Sequence, residues 1–148
     1  MAREETPVLR LRPPPGAMWT PHRRVSVCIP ARSTNQTLRR TLSALALQTY
    51  PADLIEVIVA DDSSAPPLDV SECDVPFTVT VLRQDVDGFA AGRARALAAS
   101  AAAGEVLVFL DVDVVPSRCV VESYLRWFER CDVVVPFGFL SFVDMTAL

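Results

Sequence analysis

The sequence predicts an α/β fold, a mostly parallel sheet with helices on both faces, and three observations carry that prediction. Short apolar, β-prone runs recur at residues 25–29, 55–60, 77–82, 106–110 and 132–136. Segments of helical periodicity separate most of them, so the order reads β-α-β-β-α-β-α-β. The run at 106–110 is nearly all apolar, as a central strand covered on both faces should be.

Each element has its own signals. Residues 1–23 hold Pro7, Pro13, Pro14, Pro15, Gly16 and Pro21 without a sustained period. They read as an irregular arm before a domain spanning 24–148. The first strand is closed by Pro30. A helix fits 36–48, with Leu38, Leu42, Leu45 and Ala46 on one face and Asn35 or Thr34 as its cap. Pro51 stops it, because proline lacks an amide donor and disfavours a helical Tyr50. The second strand runs into Asp61-Asp62-Ser63-Ser64 and a Pro66-Pro67 turn. After the third, Gly88 leads into an alanine-rich helix over 90–103, terminated by Gly104. Asp111-Val112-Asp113 follows the fourth strand, and a further helix fits 117–129 before the last run. Tyr124, Trp127 and Phe128 in that helix read as core or interface residues.

Composition narrows the class. A chain of 148 residues has room for one domain with a real core. A net charge of -4 supplies no electrostatic reason for a nucleic-acid partner. Cys28, Cys73, Cys119 and Cys131 lack metal-ligand spacing, and no secretory signal precedes them, so reduced thiols in a cytoplasmic protein are expected. No stretch reaches the 18 apolar residues of a membrane span, which leaves a location free in the cytoplasm or peripheral to a membrane.

In such sheets ligands collect beyond the carboxyl ends of the strands. Three polar clusters fall there: Pro30-Ala31-Arg32-Ser33, Asp61-Asp62-Ser63-Ser64 and Asp111-Val112-Asp113. Neither a G-x-G-x-x-G nor a G-x-x-x-x-G-K-S/T phosphate loop is present, so phosphate would be handled through a cation held by carboxylates. Mg²⁺ and Mn²⁺ prefer oxygen ligands and share them with substrate phosphates. Of Asp111 and Asp113, one carboxylate would bind the metal and the other a ribose hydroxyl. The plain alternative is a pair of solvated, turn-forming aspartates. Asp62 would accept from a base imide N–H. Arg95 rather than Arg93 would pair with a site carboxylate or a phosphate, and Arg32 either contacts the nucleotide or is solvated.

Residues 25–32 (VSVCIPAR), 48–51 (QTYP), 57–64 (VIVADDSS), 88–96 (GFAAGRARA) and 108–116 (VFLDVDVVP) together resemble the family 2 glycosyltransferases. The resemblance implies a GT-A fold and transfer of a sugar from a nucleotide-diphosphate donor, UDP-sugars being favoured, with inversion at the anomeric carbon. It implies that Pro30, Ala31 and Arg32 line the nucleoside and that Asp62 bonds the base. Arg95 matches the arginine of the helix, Asp111 lies near the ribose, and Asp113 coordinates Mn²⁺ or Mg²⁺.

Two positions depart from the family pattern: Ser33-Thr34-Asn35 replaces an Asn-Glu-like pair, and Ala96 stands where asparagine is usual. Inverting transfer also needs a general base, which the resemblance places beyond Leu148. The expectation is therefore a donor-binding half of a truncated domain, with an acceptor that the residues do not name. Its open edge and face would be covered by the missing C-terminal half or by a second copy. A non-catalytic nucleotide-sugar module is the alternative. A nucleotidyltransferase is disfavoured, because residues 30–37 lack a Gly-rich basic loop.

Overall fold

A computed structural model describes residues 19–86, 88, 90–129, 134–136 and 138. Its sheet has four parallel strands, β1 (Val25–Ala31), β2 (Ile55–Asp62), β3 (Thr78–Gln84) and β4 (Val106–Phe109), in the order β3-β2-β1-β4. Helix α1 (Asn35–Leu45) joins β1 to β2, α2 (Ala91–Ser100) joins β3 to β4, and α3 (Val120–Phe128) follows β4. The chain travels outward from β1 to β3 and then returns past β1 to β4. Parallel crossovers are right-handed, so reversing the direction of travel places α1 and α2 on opposite faces.

The strand period of two divides the core into two layers. Val25, Val27 and Ile29 of β1, with Val57 and Val59 of β2, meet Leu38, Leu42 and Leu45 of α1 and Val121 and Leu125 of α3. On the other face Cys28, Ile58 and Ala60 meet Ala94 and Ala98 of α2. Alanines one helical turn apart let α2 lie close against the sheet. Trp19 also reaches the larger core from the arm: its ring is 5.7 Å from that of Tyr50, and Arg126 stacks over it at 5.2 Å.

Several expectations shift. β1 continues through Pro30, which the sequence suggests as its end. Cys28 accepts from the Leu110 amide on the β4 side. Alternate residues of a parallel strand bond the same neighbour, so Pro30 faces that side too, beyond the end of β4. No ladder donor is lost there. β2 extends to Asp62, so both aspartates belong to the strand. β4 is an outer strand among the described residues, with Leu107 and Phe109 exposed, because α2 lies over β1 and β2 instead. Asn35 does not cap α1; its side-chain oxygen accepts from the Asp69 amide. Val134, Val135 and Pro136 are not in a strand, and Asp132 and Val133 lie outside the described residues. No described helix is long and apolar enough to cross a membrane.

Two carboxylates anchor the ends of β2. Glu56 accepts from the Ser26 hydroxyl and the amides of Ala103 (2.7 Å) and Gly104 (3.1 Å), closing the connection from α2 to β4. Asp61 accepts from the amides of Ser64 (2.9 Å) and Leu68 (3.2 Å) and from Arg83 (3.0 Å), shaping the loop after β2. Burial alone would raise both carboxyl pKa values. Hydrogen bonds from Ser26, Ala103 and Gly104 outweigh it at Glu56, and those from Ser64 and Leu68 with the Arg83 charge outweigh it at Asp61. Both groups are therefore held below the usual carboxylate range.

A carboxyl lowered on folding adds stability that is full above the unfolded pKa and lost as pH falls through the folded value. The urea midpoint should stay level near neutrality and drop below about pH 4. Asp61→Asn should cost about 2 kcal/mol at neutral pH and flatten that acid limb. A second prediction concerns Gly104, where an added Cβ would lie 2.6 Å from the Ser26 hydroxyl oxygen and 2.8 Å from the Val25 carbonyl carbon. Gly104→Ala should destabilise the chain by about 1–3 kcal/mol in the same unfolding measurement.

Candidate functional site

The strand order reverses between β1 and β4, which makes the carboxyl ends of these strands the switch point where α/β sheets hold ligands. Register sets who arrives there. Ala31 is level with Asp61, and Asp62 with Gln84, while β4 ends one residue before Leu110 and the acidic turn. The loops that follow all four strands thus share one edge.

Around β1 the expected donor loop divides. Pro30 and Ala31 are buried inside the strand, and Ala31 packs in the larger core. Arg32 is exposed and donates to the Gly88 carbonyl, joining this loop to the approach to α2. Ser33 takes a left-handed conformation (φ 49°), and its amide donates to the Ser64 hydroxyl at 2.8 Å. Ser63 is also left-handed (φ 59°), and its hydroxyl receives the Val86 amide at 3.0 Å. Such backbone is unusual for residues other than glycine and concentrates at functional loops.

The strand period sends Asp61 and Asp62 to opposite faces. Asp61 serves the loop after β2. Asp62, 2% exposed, turns toward α2 and accepts from Gln84 Nε2 at 2.7 Å and the Ala90 amide at 3.0 Å. Gln84 Nε2 also lies 3.3 Å from the Ala90 carbonyl, so flipping the amide would set oxygen against two acceptors. Its Oε1 is buried with no partner among the described residues.

The acidic segment forms a turn in which the Val114 amide donates to the Asp111 carbonyl at 3.0 Å. Asp111 is paired with Arg95 of α2, while Arg93 is exposed two positions earlier. The Asp113 side chain is exposed and has no hydrogen-bond or ion-pair partner among the described residues. No group of three or more His, Cys, Asp or Glu side chains suited to a metal occurs among those residues. Asp111 and Asp113 can therefore supply one or two oxygen ligands, with phosphate and water completing the shell. That is the usual manner of holding Mg²⁺.

Helix α1 and the QTYP segment after it grip this segment. The Thr41 hydroxyl donates to the Val112 carbonyl at 2.7 Å. Gln48 donates to the Ser117 carbonyl (2.7 Å) and accepts from the Val121 amide (3.1 Å), holding the start of α3. The Thr49 amide donates to the Arg118 carbonyl at 2.8 Å. A polar residue on the apolar face of α1 is the available sequence signal for Thr41, but its partner 71 residues away is invisible there. A cavity of about 150 Å³ lined by Arg24, Asp53, Glu56 and Thr78 opens at the opposite, amino-terminal edge. The Glu56 carboxylate there is already engaged by the chain.

The comparisons with known proteins fit this architecture. The chain is 36% identical over 129 residues to a pre-mycofactocin glycosyltransferase of Mycobacterium tuberculosis, covering 84% of this chain and 24% of that protein. It thus spans about a quarter of the curated relative's length. A mannosyltransferase of Pyrobaculum calidifontis, solved with GDP-Man and Mn2+, superposes with a TM-score of 0.64 at 26% identity, over 77% of this chain and 34% of that one. S. aureus TarS 1-349 in complex with UDP-GlcNAc superposes at 0.63 with 22% identity, over 72% and 31%, a likeness of fold. The profile of glycosyl transferase family 2 matches residues 26–146, and the chain belongs to that family.

Proposed function

We propose that this chain forms the donor-binding half of an inverting, metal-dependent glycosyltransferase. It would hold a nucleotide-diphosphate sugar, UDP-sugars favoured, at the carboxyl edge of the sheet. The observation that carries the reading is Asp113, an exposed carboxylate without a partner among the described residues, beside an ion-paired Asp111 at the switch point. Family membership and a neighbour solved with GDP-Man and Mn2+ support it.

In this reading Asp113 is the ligand of Mn²⁺ or Mg²⁺, a hard cation suited to a carboxylate oxygen. Bound there, the cation would neutralise the diphosphate as it departs. Asp111 faces the ribose, and Arg95 holds its carboxylate in place while keeping donors for a phosphate oxygen. Asp62 borders the base. Its two oxygens keep lone pairs beyond those used by Gln84 and Ala90, but at 2% exposure the carboxylate would have to be uncovered before a ring N–H reached it. Arg32 covers the nucleoside from the loop after β1, while Pro30 and Ala31 contribute backbone and not side-chain contacts.

Titration of the chain with UDP-sugars and GDP-sugars, with and without Mn²⁺, tests the reading. Binding should strengthen with Mn²⁺, and Asp113→Asn should remove that increment, weakening metal-dependent binding by roughly 10–100-fold without changing the unfolding midpoint. Affinity that ignores Mn²⁺ would sink the site. Metal-dependent binding without transfer by the full-length enzyme would reduce the role to a nucleotide-sugar-binding module.

A further inference from the structure

We infer that Thr41 is a positioning residue for the cation site, its hydroxyl setting the direction in which Asp113 leaves the sheet edge. The inference rests on the donor-site reading above and extends it to a residue on another element. Thr41 lies on the apolar face of α1 beside Leu38, Leu42 and Leu45, with no exposed surface. Threonine is a poor occupant of such a place. Alanine or leucine favours a helix more, and a buried hydroxyl is costly unless it is bonded.

In a helix interior, threonine commonly turns its hydroxyl back to the carbonyl four residues earlier. Thr41 donates instead to the Val112 carbonyl at 2.7 Å. The Val114 carbonyl, at 3.5 Å, is a distant second for a single proton. The Val112 carbonyl belongs to the peptide joining Val112 to Asp113. That unit is planar, so holding its oxygen also holds the N–Cα bond from which Asp113 departs. The Val112 side chain packs against the core, and the Val114 amide closes the turn on the Asp111 carbonyl. Asp113 is thus held from both sides through its backbone while its carboxylate keeps no protein partner among the described residues.

The pair Thr41→Val and Thr41→Ser separates positioning from packing. Valine keeps the shape and loses the hydroxyl; serine keeps the hydroxyl and loses a methyl group. Mn²⁺ binding in the presence of UDP is followed by the electron paramagnetic resonance of free Mn²⁺, and UDP binding in EDTA by calorimetry. Thr41→Val should weaken Mn²⁺ binding about tenfold and leave metal-free UDP binding within about twofold. Thr41→Ser should bind Mn²⁺ within about twofold of the original chain although its unfolding midpoint falls. Should the valine variant not fold, Thr41→Ala read against Thr41→Ser makes the same comparison. Mn²⁺ binding by Thr41→Val equal to that of the original chain would overturn the inference alone, as would a serine variant no better than valine. An original chain with no UDP-dependent Mn²⁺ binding would overturn the donor-site reading, and this inference with it.

Discussion

Consecutive side chains of a strand leave on opposite faces, and parallel strands in register bring their carboxyl ends to one level. The organisation of this edge depends on those two facts. Ala31 level with Asp61, and Asp62 level with Gln84, leave the loops after β1, β2 and β3 close enough to bond one another. The resulting bonds are short-range and specific: Ser33 to Ser64, Ser63 to Val86, Arg32 to Gly88. A one-residue slip would exchange the faces of Asp61 and Asp62 and break this set together.

The same alternation assigns different work to two identical neighbours. Asp61 turns toward the α1 face and collects the amides of Ser64 and Leu68 together with Arg83. Asp62 turns toward α2 and joins β2 to Gln84 and to Ala90, the residue that precedes α2. Both are nearly inaccessible, and both are satisfied by hydrogen bonds, as buried carboxylates must be. One builds the loop that frames the edge, and the other stands on its floor.

Beyond β4 the backbone has no strand partner on its outer side among the described residues, so other contacts must hold the acidic turn. Thr41, Gln48 and Thr49 supply them along 112–121 from α1 and its end, and Arg95 supplies another from the opposite face. The acidic turn is therefore held from both layers of helices. This holds the backbone beneath a carboxylate that otherwise projects into solvent, as the proposed cation site would require.

The existence and kind of β1 to β4 and α1 to α3 were legible in the sequence, because apolar spacing at two or 3.6 residues directly reports which side chains a core will take. The motifs at 61–62 and 111–113 were legible for the same reason: charged residues that close an apolar run have one edge to occupy. Their surroundings were not. Periodicity carries no information about where a strand stops when the next residues are also buried, so the continuation of β1 through Pro30 and of β2 through Asp62 appears only once neighbouring strands are in place. Nor does it show pairings across long separations. Thr41 with Val112 and Gln48 with Val121 arise because two helices and a turn are packed around one sheet, whereas for Arg95 the sequence suggests a site carboxylate or a phosphate and the structure supplies Asp111. Apolar periodicity and motif order suffice for the fold class, the family and the segments that meet. Which carboxylate is sealed into the scaffold, and which is left facing solvent, was decided only by tertiary structure, since that depends on the faces and levels at which distant segments come together.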